Sequence, residues 1–137
     1  MKTITENQNP KILIIDDDRD CREVLKMRLE LFGFHVLEAI EGGEGIELAR
    51  REHPRLIFLD ITMPLIDGWQ VCRALKEDSR TQGIPVAIMT ARDESSYQKR
   101  SFESGADAYL AKPWEATEIA SILEKFMLGD GRLCHGR

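Results

Sequence analysis

Five polar residues stand directly at the ends of apolar segments, where the side chains of a buried sheet would reach solvent. Asp16 and Asp17 follow KILII, Asp60 ends LIFLD, Thr90 ends VAIMT, and Lys112 follows AYLA. A carboxylate can attack a phosphoryl group to form an acyl phosphate, while an ammonium group and a hydroxyl neutralise the transferred group. The set is typical of phosphoryl transfer, with Asp60 as the candidate nucleophile.

Three of these residues are acidic, and their mutual repulsion restricts what else the site contains. If Asp16, Asp17 and Asp60 share one rim, they repel each other strongly unless a cation or protons neutralise them. Mg²⁺ prefers hard oxygen ligands and is often held by one or two carboxylates together with phosphate oxygens. The sequence therefore predicts a Mg²⁺ site at this rim.

The segments that would position these residues alternate between strand and helix patterns. Apolar runs at 11–15, 34–39, 56–60, 86–90 and 108–111 predict strands, each followed by a charged amphipathic stretch. Helical crossovers between strands imply a parallel sheet covered on both faces. The predicted fold class is α/β, a doubly wound five-stranded parallel sheet. Ligands of such sheets bind beyond the carboxyl ends of the strands, where the five polar residues stand.

Local signals place the ends of some helices. Asp18 or a neighbouring Asp is predicted to cap the first helix, and Gly33 to stop it. Asp67 and Gly68 are interpreted as a turn that shapes the chain after Asp60, because Asp-Gly is common where a backbone bends.

Four segments carry a specific resemblance. In order and spacing, ILIIDDD, FLDITMPLIDGWQ, IMTAR and GADAYLAKP resemble the signatures of the receiver domain of two-component response regulators, the chemotaxis-regulator-like family. The likeness covers residues 11–128, which assigns 1–10 to a flexible N-terminal lead and 129–137 to a C-terminal tail. It implies a flavodoxin-like fold, with strand order 2-1-3-4-5 and five flanking helices.

The resemblance also implies roles for the residues at the strand ends. Asp60 would be phosphorylated and would ligate Mg²⁺. Asp17 would bind the metal directly, Asp16 largely through a water, and Thr62 through its backbone carbonyl. Lys112 would pair with the acidic cluster and then with the phosphate.

A second group of residues would carry the switch. Thr90 would move its hydroxyl onto the phosphate and Tyr109 would rotate inward behind it, changing the surface around the fourth helix, fifth strand and fifth helix. Pro113 would follow Lys112 through a cis peptide bond. Arg92 would border the phosphoryl site.

The function implied is signalling rather than enzymatic turnover, with catalysis limited to the chain's own phosphorylation and dephosphorylation. A sensor histidine kinase or a histidine phosphotransfer protein would supply the phosphoryl group, and the output would be a contact with a downstream effector protein. An alternative is a phosphorelay intermediate that passes the group on. Receivers of transcription factors that dimerise through this face usually present an Arg in the last helix, whereas residues 114–128 contain none. The resemblance therefore implies a monomer or a weak phosphorylation-dependent dimer.

Two rival readings remain open. A haloacid-dehalogenase-like phosphohydrolase also uses an Asp nucleophile and Mg²⁺, and the run from Asp16 to Asp20 fits its Asp-x-Asp start, but that reading leaves the later segments unexplained. A scaffold that has lost phosphorylation is opposed by the intact Asp60, Thr90 and Lys112.

Composition excludes other classes. A length of 137 residues fits one domain, and a net charge of -5 without a dense basic cluster argues against direct nucleic-acid binding. No apolar run approaches the roughly 18 residues of a membrane span, and the first ten residues lack a signal-peptide core, which predicts a cytoplasmic protein without membrane insertion.

Overall fold

Five short apolar segments form the strands of a single parallel sheet. The computed structural model describes residues 10–62, 67–91 and 95–127. Within them the strands are β1 (Lys11–Ile15), β2 (His35–Ala39), β3 (Leu56–Asp60), β4 (Val86–Thr90) and β5 (Ala108–Ala111). Their order is β2-β1-β3-β4-β5 and all pairings are parallel. This confirms the predicted doubly wound, flavodoxin-like sheet.

The only strand boundary that differs from the prediction is the start of β2, which lies one residue later. Phe34 instead lies in the turn that follows the preceding helix, where its N–H donates to the carbonyl of Leu29 at 3.2 Å. Its side chain is buried beneath that helix as part of the core.

Five helices follow the strands in alternation. They are α1 (Arg19–Leu31), α2 (Gly42–Glu52), α3 (Gly68–Glu77), α4 (Ser95–Glu103) and α5 (Ala116–Phe126). The Asp18 side chain accepts hydrogen bonds from the backbone N–H groups of Asp20 and Cys21, so it caps α1 as predicted. Gly33 follows the end of α1 with a φ of 95°, a conformation that costs glycine little.

The Asp67–Gly68 pair differs from its interpretation as a turn. Asp67 is the N-cap of α3, since its side chain accepts from the N–H of Trp69 at 2.7 Å, and Gly68 is the first helical residue. A Cβ at position 68 would lie 2.8 Å from the Asp60 carbonyl oxygen and would also collide with the Ile61 backbone. Glycine is therefore needed because α3 begins in direct contact with the chain leaving β3.

The core has two halves, one on each face of the sheet. Ile12, Ile14 and Phe58 pack with residues of α1 and α5 on one face. Leu13, Ile57 and Leu59 pack with residues of α2 and α3 on the other. All five residues of β3 and of β4 are buried, which explains their continuous apolar runs. The sheet thus holds its strand ends in fixed positions.

Among the described residues, no helix has both the length and the apolar character needed to cross a lipid bilayer. Residues 1–9 and 128–137, which include almost all of the predicted lead and the predicted tail, lie outside the described residues, as does Arg92.

Candidate functional site

The carboxyl ends of the strands bring the predicted acidic residues together. Asp16 and Asp17 follow β1, and Asp60 is the last residue of the neighbouring β3. One carboxylate oxygen from each lies within 4.8 Å of the others. Asp16 and Asp60 are almost fully buried, at 1% and 2% exposure, whereas Asp17 is exposed. The rim predicted from the sequence is therefore a compact three-carboxylate cluster.

Lys112, directly after β5, reaches into this cluster. Its Nζ donates to Asp16 Oδ2 at 2.9 Å and to Asp60 Oδ2 at 3.2 Å. Burial alone would lower the pKa of the ammonium, but its hydrogen bonds and charge interactions with the two carboxylates raise the pKa well above its usual value. Lys112 is therefore a permanent cation here. The Lys112–Pro113 peptide bond is cis, as the resemblance implied.

Asp60 is held in a single orientation by donors on both of its oxygens. Its Oδ1 accepts from the backbone N–H of Thr62 at 2.9 Å and from the Thr62 hydroxyl at 2.7 Å. Burial raises the pKa of Asp60, but the Thr62 donors and the Lys112 charge outweigh it, so the net shift is downward. Asp60 is thus an ionised, oriented carboxylate. Thr62 lies beside Asp60 and holds it through its backbone N–H and its hydroxyl.

Asp16 responds to the same surroundings in the opposite direction. Burial raises the pKa of its carboxyl to about 6, more than the Asp18 N–H and Lys112 hydrogen bonds can lower it, and the adjacent Asp60 charge adds to the rise. Of the two buried carboxyls, Asp16 is therefore the one whose pKa is raised and Asp60 the one whose pKa is lowered.

The charge of the cluster suits a divalent cation. Three carboxylates and one ammonium leave two negative charges when all are ionised. The donors are all oxygens, which Mg²⁺ prefers. The raised pKa of Asp16 reflects its burial and, to a lesser degree, the negative charge of Asp60. The residues present therefore fit a bound Mg²⁺.

A cleft of about 580 Å³ opens beside the cluster and gives access to Asp60. Its acidic wall includes Asp17, Asp18 and Asp20, and its other walls come from α1 and from the chain after β5. Trp114 lines this cleft and also packs against the core face formed by α1 and α5. A phosphoryl donor can therefore approach Asp60 from solvent.

The two predicted switch residues lie on adjacent strands. Thr90 ends β4 with no exposed surface, and its carbonyl accepts from the Lys112 N–H at 2.7 Å. Tyr109 in β5 is half-buried against the core face formed by α2 and α3. β4 and β5 pair directly, with Ile88 opposite Tyr109. Thr90 thus reaches the same sheet edge as the acidic cluster.

Sequence reasoning missed a contact behind the cluster. Arg22 Nη1 donates to the backbone carbonyl of Asp16 at 3.0 Å, and Arg22 Nε donates to Glu38 Oε1 at 3.2 Å. Glu38 also accepts from Lys26 Nζ at 3.1 Å. The i, i+4 spacing of Arg22 and Lys26 predicts that both lie on one face of α1. The sequence does not predict that both contact Glu38 on β2.

Trp69 packs between α3 and α4. Its Nε1 donates to the buried Ser101 hydroxyl at 3.0 Å, which joins α3 to α4. Its ring lies 5.1 Å from that of Tyr97, and the Arg100 guanidinium lies 4.2 Å from its centroid.

Comparison with known proteins agrees with this geometry. A family model described as the response regulator receiver domain matches residues 12–124. The DNA-binding dual master transcriptional regulator RpaA of Synechocystis is 42% identical over 124 residues, covering 90% of this chain and 52% of the relative. Histidine kinase P4 of Formosa agariphila is 38% identical over 128 residues, covering 90% of this chain but 9% of the relative. The chain spans about half the length of the RpaA relative.

Solved structures give the same result. The signal receiver domain of a signal transduction histidine kinase from Syntrophus aciditrophicus superposes with a TM-score of 0.80 at 32% identity, covering 88% of this chain and 91% of that one. The receiver domain of the sensor histidine kinase PA1611 from Pseudomonas aeruginosa, which has magnesium coordinated in its active site cleft, shares the fold with a TM-score of 0.80 at 24% identity, covering 86% of this chain and 97% of that one.

Receiver domains act in two-component signalling, bind Mg²⁺ in an acidic pocket and are not in general a family of enzymes. The matched model, the identity to its relatives and the sheet order all apply to the greater part of this chain. The chain belongs to the response regulator receiver domain family.

Proposed function

We propose that this chain accepts a phosphoryl group on Asp60 from a histidine kinase or a histidine phosphotransfer protein, and that the modified domain changes its contacts with other proteins. The observation that carries this proposal is the state of Asp60. It lies beside an accessible cleft, is 2% exposed, and is held by two donors from Thr62 and one from Lys112. A carboxylate that is ionised and oriented is prepared to act as a nucleophile.

The chemical step would convert Asp60 into an acyl phosphate. A carboxylate oxygen of Asp60 forms a bond to phosphorus, the bond between phosphorus and the donor histidine nitrogen breaks, and that nitrogen keeps the electron pair. Lys112 would neutralise charge on the phosphoryl oxygens, and the Thr90 hydroxyl would donate a hydrogen bond to one of them. Phosphoryl transfer depends mainly on such positioning and charge stabilisation.

Asp16, Asp17, Asp60 and the backbone carbonyl of Thr62 are the groups proposed to hold Mg²⁺. When bound, the metal supplies charge neutralisation for the phosphoryl oxygens and for the crowded carboxylates. The role of the chain's own residues is to keep Asp60 ionised and aligned.

The switch is proposed to run from Thr90 to Tyr109 on the neighbouring strand, and from there to the surface of α4, β5 and α5. The proposed receiver unit is 11–128, with 1–10 and 129–137 outside it and with Pro113 and Gly68 in structural roles. The unit is expected to be a monomer or to dimerise weakly when phosphorylated.

The relatives suggest two kinds of output. The same domain occurs within a protein named as a DNA-binding transcriptional regulator and within one named as a histidine kinase. The second occurrence favours a relay intermediate as the alternative function, in which Asp60 passes its phosphoryl group to a phosphotransfer protein. Neither output requires the receiver unit itself to bind DNA, and the net charge of -5 of the whole chain opposes such binding.

The test is the intact mass of the protein after incubation with acetyl phosphate and Mg²⁺. We expect one phosphoryl adduct in the unsubstituted protein, and none in Asp60→Asn or without Mg²⁺. Asp20→Asn is the matched control, because Asp20 lines the same cleft but lies outside the carboxylate cluster. It should keep the adduct.

An adduct that persists in Asp60→Asn would refute the assignment of the acceptor. A protein that binds no Mg²⁺ and forms no adduct would support a phosphorylation-independent scaffold. Rapid multiple turnover of a small phosphomonoester would instead favour the phosphohydrolase reading. Transfer of the phosphoryl group from Asp60 to an added phosphotransfer protein would favour the relay function.

A further inference from the structure

Arg22 contacts the backbone that joins the two consecutive acidic residues of the site. It lies in the first turns of α1, and its side chain is only 14% exposed. From there its Nη1 reaches back to the carbonyl oxygen of Asp16 at 3.0 Å. This carbonyl belongs to the peptide plane that connects Asp16 to Asp17, so the contact acts on the orientation of that plane.

The guanidinium is itself held from the neighbouring strand. Glu38 on β2 accepts from Arg22 at 3.2 Å and from Lys26 at 3.1 Å, using a different oxygen for each. Burial raises the pKa of Glu38, but its hydrogen bonds with Lys26 and Arg22 lower the pKa by more, so the net shift is downward. Glu38 is therefore an ionised anchor that fixes where the Arg22 fork points.

Both backbone polar groups of Asp16 are hydrogen-bonded. Its N–H donates to the carbonyl of Ala39 at 3.0 Å, which continues the β1–β2 ladder, and its C=O accepts from Arg22. Asp17 comes next and is exposed, beyond the last residue of β1. The sheet fixes Asp16, but the direction of the Asp17 carboxylate depends on the peptide that Arg22 holds.

We propose that Arg22, oriented by Glu38, is a positioning residue for the metal site: it holds the Asp16–Asp17 peptide so that the Asp17 carboxylate faces those of Asp16 and Asp60. This inference rests on the proposed function, since it concerns the same Mg²⁺ site. Arg22 touches neither the metal nor the phosphoryl group, and it acts through the backbone of a ligand.

Lys26 provides a matched control. It lies one turn further along α1, makes the same kind of ion pair with Glu38, and has no contact with Asp16 among the described hydrogen bonds. Arg22→Met and Lys26→Met each remove one positive charge and one partner of Glu38. A purely electrostatic role predicts slightly tighter Mg²⁺ binding in both variants, because a positive charge near the cation is lost.

The experiment is calorimetric titration of Mg²⁺ into both variants and the unsubstituted protein, at a temperature where circular dichroism shows all three folded. We expect about tenfold weaker Mg²⁺ binding in Arg22→Met and no weakening in Lys26→Met. In the acetyl phosphate reaction, Arg22→Met should need correspondingly more Mg²⁺ but approach the unsubstituted rate at saturation. Loss of fold stability alone would produce neither effect.

Equal Mg²⁺ affinities in the two Met variants would overturn the inference while leaving the proposed function intact. Absence of Mg²⁺ binding or of the Asp60 adduct in the unsubstituted protein would overturn the proposed function itself. If Arg22→Met does not fold, the same Mg²⁺ titration is made with Arg22→Lys and Lys26→Arg. Both substitutions keep the positive charge, but only Arg22→Lys removes the guanidinium that contacts the Asp16 carbonyl, so only it should weaken Mg²⁺ binding.

Discussion

Two lysines lie at opposite ends of the same sheet, and their surroundings differ in charge balance. At the carboxyl ends, Lys112 contacts Asp16 and Asp60, with Asp17 close by. At the amino ends of β4 and β5, Lys76 Nζ donates to Asp107 Oδ2 and to the carbonyl of Ile84, each at 2.8 Å. The first cluster has three carboxylates for one ammonium, whereas the second has one for one.

This difference in charge balance distinguishes the candidate functional site around Lys112 from the structural ion pair around Lys76. Asp107 also accepts from the Val86 N–H at 2.9 Å, so the Lys76 cluster closes the start of two strands with its charges matched. The Lys112 cluster carries excess negative charge in a buried place, and only a further cation or a proton relieves it. The carboxyl end of the sheet is therefore distinguished by an excess of buried negative charge over positive charge, and not by the burial of charged groups as such.

The largest expected effect on the free energy of unfolding comes from removing Lys112, the single cation of the cluster with Asp16, Asp17 and Asp60. Lys112→Met should lower the free energy of unfolding at pH 7 without Mg²⁺ by about 3 kcal/mol, because it leaves buried carboxylates without their partner. Mg²⁺ should recover more stability in this variant than in the unsubstituted protein. Urea unfolding with and without Mg²⁺ measures both, and equal Mg²⁺ gains in the two proteins would contradict the charge argument.

Neutralising one carboxylate of the same cluster should act in the opposite direction. Asp16→Asn is expected to raise the metal-free free energy of unfolding at pH 7 by about 1 to 2 kcal/mol, because it removes a charge that the folded state disfavours. It should also abolish most of the stability gained from Mg²⁺. Thermal unfolding in the two conditions tests this, and a destabilised metal-free variant would show that the negative charge is well compensated.

The same carboxyl predicts an unusual pH dependence. The pKa of Asp16 is raised from its ordinary 3.8 to about 6 in the folded protein, so the folded state binds more protons than the unfolded state between these values. The free energy of unfolding contributed by Asp16 therefore falls as pH rises through this window. The lowered pKa of Asp60 acts in the reverse sense, and its contribution is lost only at more acidic pH.

Urea midpoints measured between about pH 4 and 7 should display this fall in the metal-free protein. The fall should be absent in Asp16→Asn, and saturating Mg²⁺ should suppress it in the unsubstituted protein. An identical pH profile in Asp16→Asn would assign the titration to another group.

The smallest effect on the free energy of unfolding is expected at the amino ends of β4 and β5, where Lys76 pairs with Asp107. Lys76→Met should cost about 1 kcal/mol, because Asp107 keeps its bond to Val86 and is 37% exposed in its side chain. Mg²⁺ should stabilise this variant and the unsubstituted protein equally. A Mg²⁺ gain that differs between them would show that the two ends of the sheet are coupled.

Much of this architecture was predictable because it depends on local patterns. Four strands have the predicted bounds, and the acidic residues after β1 and β3 were placed together because parallel strands end at one edge. Asp67 and Gly68 were misread because an N-cap and a turn use the same residue types. The apolar spacing of Val71, Cys72 and Leu75 was the signal that a helix starts there.

Contacts between distant segments were beyond sequence reasoning. Glu38 lies 16 residues from Arg22, and Ser101 lies 32 residues from Trp69. Nothing in the composition of β2 distinguishes a glutamate that holds Arg22 from one that faces water. Such pairs follow from how helices pack on the sheet, which a single sequence specifies only through the whole fold.

The close approach at Gly68 affects how mutational tolerance across this domain would be interpreted. In a survey of all single substitutions scored by phosphorylation, position 68 would group with Asp60 and Lys112 as intolerant. The cause would be different, because even a methyl group there would push against the carbonyl of Asp60 and the backbone of Ile61. Intolerance in such a survey would therefore mark two kinds of residue: those that take part in the chemistry, and those whose small size leaves room for it.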